Sequence, residues 1–465
     1  MCTCLLGGKK TSIDGSVLFA ANDDWTGVPG VLTHVPAKVH TEGAFFQLTG
    51  GKRLPQPAET NGYVYTACKY ETGMLDRSWA GGVNDCRVAV AGTGVNAYKQ
   101  IPCEGAWLEP DDIPLLILER ARTARGGIQM IGELIKIYNF QPSTMEGSPS
   151  VACFAVADES EAWWLEMAPG NHWLAVRVPD DEVSVRVNAF GTHDADLLDS
   201  ENVMFSEGLA DYARSQGWWD GDDRHFDFAN VYGHTVSLNE WGPELADMNM
   251  RRRWRAVNLF SGQETPEDAL LYSVYPKKQL DIRDMMAVLR DVYDGTCYDL
   301  RKAAGAGVFG NPFHENPPDY SLSHAGTVAG IVAALKSESL PVLWTCMATP
   351  RISFYFPVYA DIENLPLVCE AVEEEPSLYW EFKKLGMLTC ICFERCMPVL
   401  EKLQERYECA AMKEISERNI LLKGISRQTE RRKQMTLFTE EQIEEGRQIC
   451  REAKQILGSI TGVEC

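Results

Sequence analysis

Short apolar runs separated by polar, glycine-containing turns fill the first hundred residues and return between about 150 and 190. Runs of that length bounded by turn residues predict strands. Thr3–Leu6 and Val17–Ala21 are the first two, and the polar stretch Lys9–Ser16 between them contains Asp14-Gly15, a hairpin turn signal. The pair predicts an antiparallel hairpin that starts at Cys2 and closes on Asn22-Asp23-Asp24-Trp25. Asp111–Tyr138 places Leu115, Leu118, Ile128, Ile131 and Ile135 at helical spacing. Strands resume at Cys153–Val156, Ala162–Glu166 and His172–Val178, and residues 192–250, acidic and aromatic, predict helix and lid-like loops. From Glu394 onward the pattern is helical and charged. There Thr439-Glu440-Glu441-Gln442 reads as a capping box, opening a helix that stops at Gly458. Periodicity by itself supports an α+β class. It divides the chain into a body, residues 2–390, and a helical segment, 391–465, that packs on the body or on a partner subunit.

Composition narrows the function classes. A chain of 465 residues with 45% hydrophobic content builds one large domain plus an appendage, or two domains. A net charge of −22 argues against nucleic acid or an anionic membrane as partner, since both are polyanions. The same charge suits an acidic cleft that receives a peptide's ammonium. No apolar run reaches the about 18 residues of a membrane helix, and the first residues lack the basic start of a signal peptide. A cytoplasmic protein is therefore expected, with a homo-oligomer left open. The 15 cysteines are scattered through apolar strings, as expected of reduced, core-packed thiols. Cys390, Cys392 and Cys396 form a cluster that lacks a fourth ligand, so no metal and no cofactor is expected.

Cys2 carries the candidate chemistry. When Met1 is removed, one residue holds both a thiol and an α-amine. The amine, with a pKa of about 7.7–8.0, is suited to taking the thiol proton. The far end of the predicted hairpin returns the carboxylates of Asp23 and Asp24 to the same place, where one of them would orient the ammonium or thiol.

The segment Cys2-Thr3-x-x-Leu6-x-Gly8-Lys9-x-x-Ser12-x-Asp14-Gly15-Ser16, followed by Ala20-x-Asn22-x-Asp24, resembles the start of the C69 dipeptidases. These are N-terminal-nucleophile hydrolases related to the secernins and, more distantly, to choloylglycine hydrolases and penicillin V acylases. Ala80–Asp85, Glu161–Glu166, Trp173–Asp181, Arg251–Arg255 and Asp291–Leu300 resemble further blocks of that family, in order, and the likeness spans roughly residues 2–360. The resemblance implies a four-layer αββα sandwich and a cysteine dipeptidase acting on small peptides. Cys2 would be the nucleophile, Asp24 its orienting carboxylate, and Asn188 the oxyanion donor. Arg252 would steady the cluster or bind a carboxylate, and Asn84 and Thr93 are weaker oxyanion candidates. Ala21 departs from the family, which carries arginine there, and so removes a cation expected to lower the thiol pKa. Two other readings stay open: an amidase or acylase on non-peptide amides, and a secernin-like interaction protein with little peptidase activity.

Overall fold

The computed structural model describes residues 2–25, 27–69, 78–143, 149–233, 243–269, 271–314, 320–373 and 376–463. Ten strands lie in the first hundred residues: β1 (Thr3–Gly7), β2 (Val17–Asp24), β3 (Gly30–Val35), β4 (Lys38–Val39), β5 (Phe45–Gln47), β6 (Arg53–Pro55), β7 (Glu59–Thr60), β8 (Tyr63–Cys68), β9 (Ser78–Asn84) and β10 (Ala89–Val95). Helices α1 (Asp112–Arg120) and α2 (Ala124–Tyr138) follow, then β11 (Val151–Ala157), β12 (Ala162–Ala168), β13 (His172–Arg177), β14 (Val183–Arg186) and β15 (Val203–Phe205). Next come α3 (Leu209–Ser215), α4 (Phe228–Tyr232), α5 (Pro243–Ser261), β16 (Ser273–Val274) and α6 (Ile282–Leu289). The chain ends with β17 (Thr327–Leu335), β18 (Val342–Met347), β19 (Phe356–Tyr359) and helices α7 (Leu378–Ile391), α8 (Phe393–Lys423) and α9 (Gln428–Thr461).

Two antiparallel sheets form the centre. One has the order β16-β14-β1-β2-β17-β18-β19, the other β15-β13-β12-β11-β10-β9-β8-β3. They face each other, with β1 and β2 against β10 and β11, and β17 against β8 and β9. Helices α1 and α2 cover the outer face of the eight-stranded sheet, while α5 to α9 pack on the seven-stranded one. The protein is thus α+β, a four-layer αββα sandwich with a helical C-terminal segment. Strands enclosed on both faces need apolar residues at successive positions rather than at alternate ones. Accordingly, every residue of β1, β10, β11 and β12 is buried.

Two helix boundaries differ from the sequence expectation. The helix expected over Asp111–Tyr138 breaks at Ala121, and Thr123 restarts it by accepting the Gly126 N–H on its hydroxyl, a side-chain N-cap. Thr439 lies in the middle of α9 and opens no helix. Its hydroxyl is turned onto the Tyr359 N–H of β19. The helix runs on past Gly458 to Gly462, whose φ of 73° supplies the left-handed cap.

Candidate active site

Register, before any side chain is considered, brings the chain start together with its partners. Strand β1 lies between β2 and β14. Thr3 pairs with Asn22 and Cys4 with Arg186. Carried one pair outward on the first side, and two residues on the second, these registers set Cys2 between Asp23 and Asn188. The Cys2 N–H donates to Asn188 Oδ1 at 2.9 Å, and the thiol donates to Asp23 Oδ1 at 3.5 Å. In the full-length chain that nitrogen belongs to a peptide bond, and it is the atom that becomes the α-amine when Met1 leaves.

Asn188 is fixed from three sides. Its Nδ2 donates to Gly94 O at 2.9 Å, its Oδ1 accepts from Arg252, and its backbone carbonyl accepts from Asn249 Nδ2. An amide nitrogen has two hydrogens. The one not directed at Gly94 has no acceptor among the described residues. The turn after Asn188 is locked by the buried pair Glu166–Arg186 at 3.0 Å, because Glu166 also accepts the Gly191 N–H.

Arg252 lies on α5 and is wholly buried. Its guanidinium donates to the Cys2 carbonyl at 2.9 Å, Thr3 Oγ1 at 3.1 Å, Asn188 Oδ1 at 2.9 Å and Asn249 Oδ1 at 2.6 Å. Asn249 stands one helical turn earlier on the same face. Its terminal N–H groups are so engaged, while its Nε has no partner among the described residues, and this geometry favours holding the cluster over gripping a substrate carboxylate. Its neighbours in the motif serve other elements: Arg251 lies 3.8 Å over the Tyr298 ring, Arg253 donates to Glu267 O, and Arg255 forms a forked pair with Asp291.

The carboxyl on the sulfur is Asp23, not Asp24, and this corrects the sequence expectation. Side chains alternate across a strand, so the residue opposite Cys2 shares its face and the next one points away. Asp24 is turned toward β17, where the Thr327 hydroxyl donates to its Oδ1 at 2.5 Å, while its backbone N–H reaches the Cys2 thiol. Asp23 also accepts from the Cys68 thiol at 3.6 Å. The hairpin register is the signal that would have found it.

Ala21 pairs with Cys4 in the interior of the sandwich, and among the described residues no hydrogen bond or ion pair brings a cation to the sulfur, Arg252 reaching the Cys2 carbonyl instead. Asn84 is a structural residue. Its Nδ2 donates to Leu118 O and Ala121 O at the end of α1, and its Oδ1 accepts from Cys86 N and Val88 N. No donor of Asn84 is left for an oxyanion. Thr93 supports the site at one remove, its hydroxyl donating to Val187 O beside Asn188.

Burial sets the electrostatics. It pushes the Cys2 thiol up to about 12, with the Asp23 and Asp24 charges adding to the effect. Burial, then the Asp24 charge, raises the Asp23 carboxyl to about 7. Asp24 is also raised by burial, and the Arg252 guanidinium is lowered by it while the nearby Asp24 charge works the other way. Among the described residues no group of His, Cys, Asp and Glu is arranged to hold a metal ion. No described helix is long and apolar enough to cross a membrane. The arrangement is that of a thiol flanked by an amide donor on one side and a carboxyl on the other.

Comparison with known proteins places these features in a context. The model of peptidase family C69 matches residues 1–406. A probable dipeptidase of Latilactobacillus sakei is 24% identical over 408 residues, covering 83% of this chain and 80% of that protein. A dipeptidase of Bifidobacterium longum is 25% identical over 457 residues, covering 87% of this chain and 80% of that one. Among solved structures, a mutant conjugated bile acid hydrolase of Clostridium perfringens aligns with a TM-score of 0.40 and 13% identity, covering 80% of this chain and 95% of that one. Penicillin V acylase of Agrobacterium tumefaciens aligns with a TM-score of 0.38 and 14% identity, covering 77% and 86%.

Proposed function

Because the chain belongs to peptidase family C69, we propose that it is a cysteine dipeptidase whose nucleophile is the Cys2 thiol, exposed to its own α-amine by removal of Met1. The observation that carries this reading is the placement of the Cys2 nitrogen and sulfur between Asn188 and Asp23, 2.9 and 3.5 Å away. The amine takes the thiol proton as sulfur attacks the peptide carbonyl, and the carbonyl electrons move onto oxygen. Burial raises the thiol pKa, so an internal proton acceptor is what lets the sulfur react at neutral pH. The second Nδ2 hydrogen of Asn188 supports the oxyanion. Collapse breaks the C–N bond, the protonated amine gives its proton to the leaving amine, and a thioester remains on Cys2. Water then hydrolyses the thioester by the same two groups, releasing the carboxylic acid and the free thiol.

Arg252 serves by holding the Cys2 carbonyl and Asn188 Oδ1 at once, which fixes nucleophile and oxyanion donor relative to each other. Asp24, turned to Thr327, contributes negative charge behind the amine rather than a contact with sulfur.

The test is intact mass together with turnover of a dipeptide panel. Active protein should lack Met1, and Cys2→Ala should lower kcat by about a thousandfold or more. A chain extended at its amino terminus by an uncleaved tag should be equally inactive. Normal turnover by the extended chain would refute the amine as base, and normal turnover by Cys2→Ala would refute the nucleophile.

A further inference from the structure

Asp23 is a carboxylate in an awkward place. It stands 3.5 Å from the sulfur, and its hydrogen-bond donors among the described residues are two thiols, Cys2 and Cys68. Thiols are weak donors. No lysine or arginine of the described chain pairs with it. A negative charge beside a nucleophilic thiol opposes thiolate formation, the reverse of what the chemistry needs. Solvent nevertheless reaches Asp23 and Asn188, whereas Cys2, Asp24 and Cys68 are buried. Asp23 and Asn188, both half-buried, thus flank the sulfur with a carboxyl and an amide, and the cation whose charge acts on Asp23 is the chain's own amino terminus.

We infer that Asp23 is the specificity residue that binds the free α-ammonium of the substrate, so that the site favours peptides with an unblocked amino terminus over acylated amides. This rests on the assignment of Cys2 as nucleophile. The geometry fits a residue whose own carbonyl is under attack. Its ammonium nitrogen lies about 2.5 Å from that carbonyl carbon by covalent geometry. The carbon approaches the sulfur to about 3–3.5 Å. An Asp23 oxygen 3.5 Å from the same sulfur is then within reach of a charge-assisted hydrogen bond of about 2.8 Å to that ammonium. The bound cation also cancels the repulsion that Asp23 exerts on a developing thiolate. A substrate lacking the ammonium leaves that repulsion in place, so discrimination falls on the chemical step as well as on binding. Cys68 holds the second carboxylate oxygen and keeps the first aimed at the site. Asp23 itself forms and breaks no covalent bond.

The experiment compares a dipeptide with its N-acetyl counterpart on the parent enzyme, Asp23→Asn and Asp23→Glu. The parent should prefer the free dipeptide. Asp23→Asn should lose about ten- to a hundredfold in kcat/KM on the dipeptide, the range of a charged hydrogen bond, and should lose nothing, or gain, on the acetylated substrate, for which the repulsion on the thiolate is lifted. Asp23→Glu, which keeps the charge, should recover part of the loss. A second readout does not depend on turnover. Labelling of Cys2 by the cationic reagent 2-bromoethylammonium, relative to neutral iodoacetamide, should fall about tenfold in Asp23→Asn, with iodoacetamide itself reacting at least as fast as on the parent because the opposing charge is gone, and an unchanged circular dichroism spectrum shows that the variant is folded. Equal losses on both substrates would make Asp23 a proton acceptor and overturn the inference. Unchanged substrate and reagent preferences would overturn it too, while Cys2→Ala inactivity left the dipeptidase reading standing. Turnover of both substrates by Cys2→Ala would refute the dipeptidase reading itself.

Discussion

Arg252 directs its charge at the main chain of the nucleophilic residue, and that choice governs what its replacement does. Four acceptors converge on it: Cys2 O, Thr3 Oγ1, Asn188 Oδ1 and Asn249 Oδ1. A lysine at 252 keeps the charge but cannot fork across these acceptors. Arg252→Lys should lower kcat by about ten- to a hundredfold with a smaller change in KM, and should lower the melting temperature, since buried polar groups lose their partners. An unchanged kcat would mean that the Cys2–Asn188 geometry is set by register alone. Asp23 gives a pH-dependent prediction for a chain whose amino terminus is blocked. Its carboxyl is raised to about 7 in the folded protein by burial first, with the amino-terminal charge opposing and the Asp24 charge adding, against about 3.9 when unfolded, and a blocked amino terminus removes the opposing charge and raises it further. The groups that act on it are the amino-terminal charge, where that is not blocked, the Asp24 carboxyl, and the Cys2 and Cys68 thiols. Below about pH 4 both states hold the proton and folding incurs no penalty. The penalty grows as pH rises toward the folded value and levels off above. Asp23→Asn should therefore raise the melting temperature increasingly between pH 4 and 8, with no gain at the acid end. A gain that shrinks with rising pH would show Asp23 to be ionised and paired. At this scale the sequence motifs pointed to Cys2, Asn188 and Arg252, which the fold brings into contact, but not to Asp23 over Asp24 as the carboxyl on the sulfur. That distinction rests on strand parity, where a one-residue slip exchanges the two faces. The parity is set by a loop whose bonds run to a distant segment, Gly8 N–H to Glu182 O and Lys10 N–H to Asp180 O.

Among elements, β9 explains why a block with a family-like sequence carries no catalyst. A Cβ on Gly81 would come 2.8 Å from Ile331 Cδ1 of the facing sheet, and one on Gly82 would come 2.1 Å from Val64 O of the adjacent strand. The paired glycines let two sheets and two strands approach closely, and Asn84 then ties the strand end to α1. Gly82→Ala should destabilise by about 2–3 kcal/mol or more by urea unfolding, because a backbone atom rather than a flexible side chain blocks the methyl. A neutral result would mean that β8 and β9 separate at no cost. The break between α1 and α2 makes a milder prediction. Removing the Thr123 cap in Thr123→Ala should cost about 1 kcal/mol. Element types were readable from apolar runs and spacing, whereas ends were not. Thr439-Glu440-Glu441-Gln442 has the composition of a helix start, yet the tertiary contact of Thr439 with β19 puts it in the interior of α9.

Over the whole molecule, the C-terminal helices bury the outer face of the seven-stranded sheet. Met435, Phe438, Ile443, Cys450 and Leu457 of α9 are buried, and α9 packs on β19 and α7. Glu408 of α8 holds Arg290, at the end of α6, and the Tyr355 N–H, joining the helices to the body at a buried ion pair. A chain ended after Lys423 should lose its cooperative thermal transition, since those apolar faces would meet water. One ended after Gly462 should keep it. The layered architecture could be anticipated from family resemblance, but the role of the last helices could not, because an amphipathic pattern names no partner. One feature of the chain start also bears on timing in the cell. Residue 2 is enclosed, 5% exposed, and its nitrogen is engaged by Asn188. If the amine of residue 2 is the base, as proposed, the processing aminopeptidase has to reach a nitrogen that the folded chain holds on Asn188, so its action is expected before folding is complete. Protein refolded with its methionine still attached should stay dormant when the processing enzyme is added afterwards, and should awaken only if that enzyme meets it unfolded.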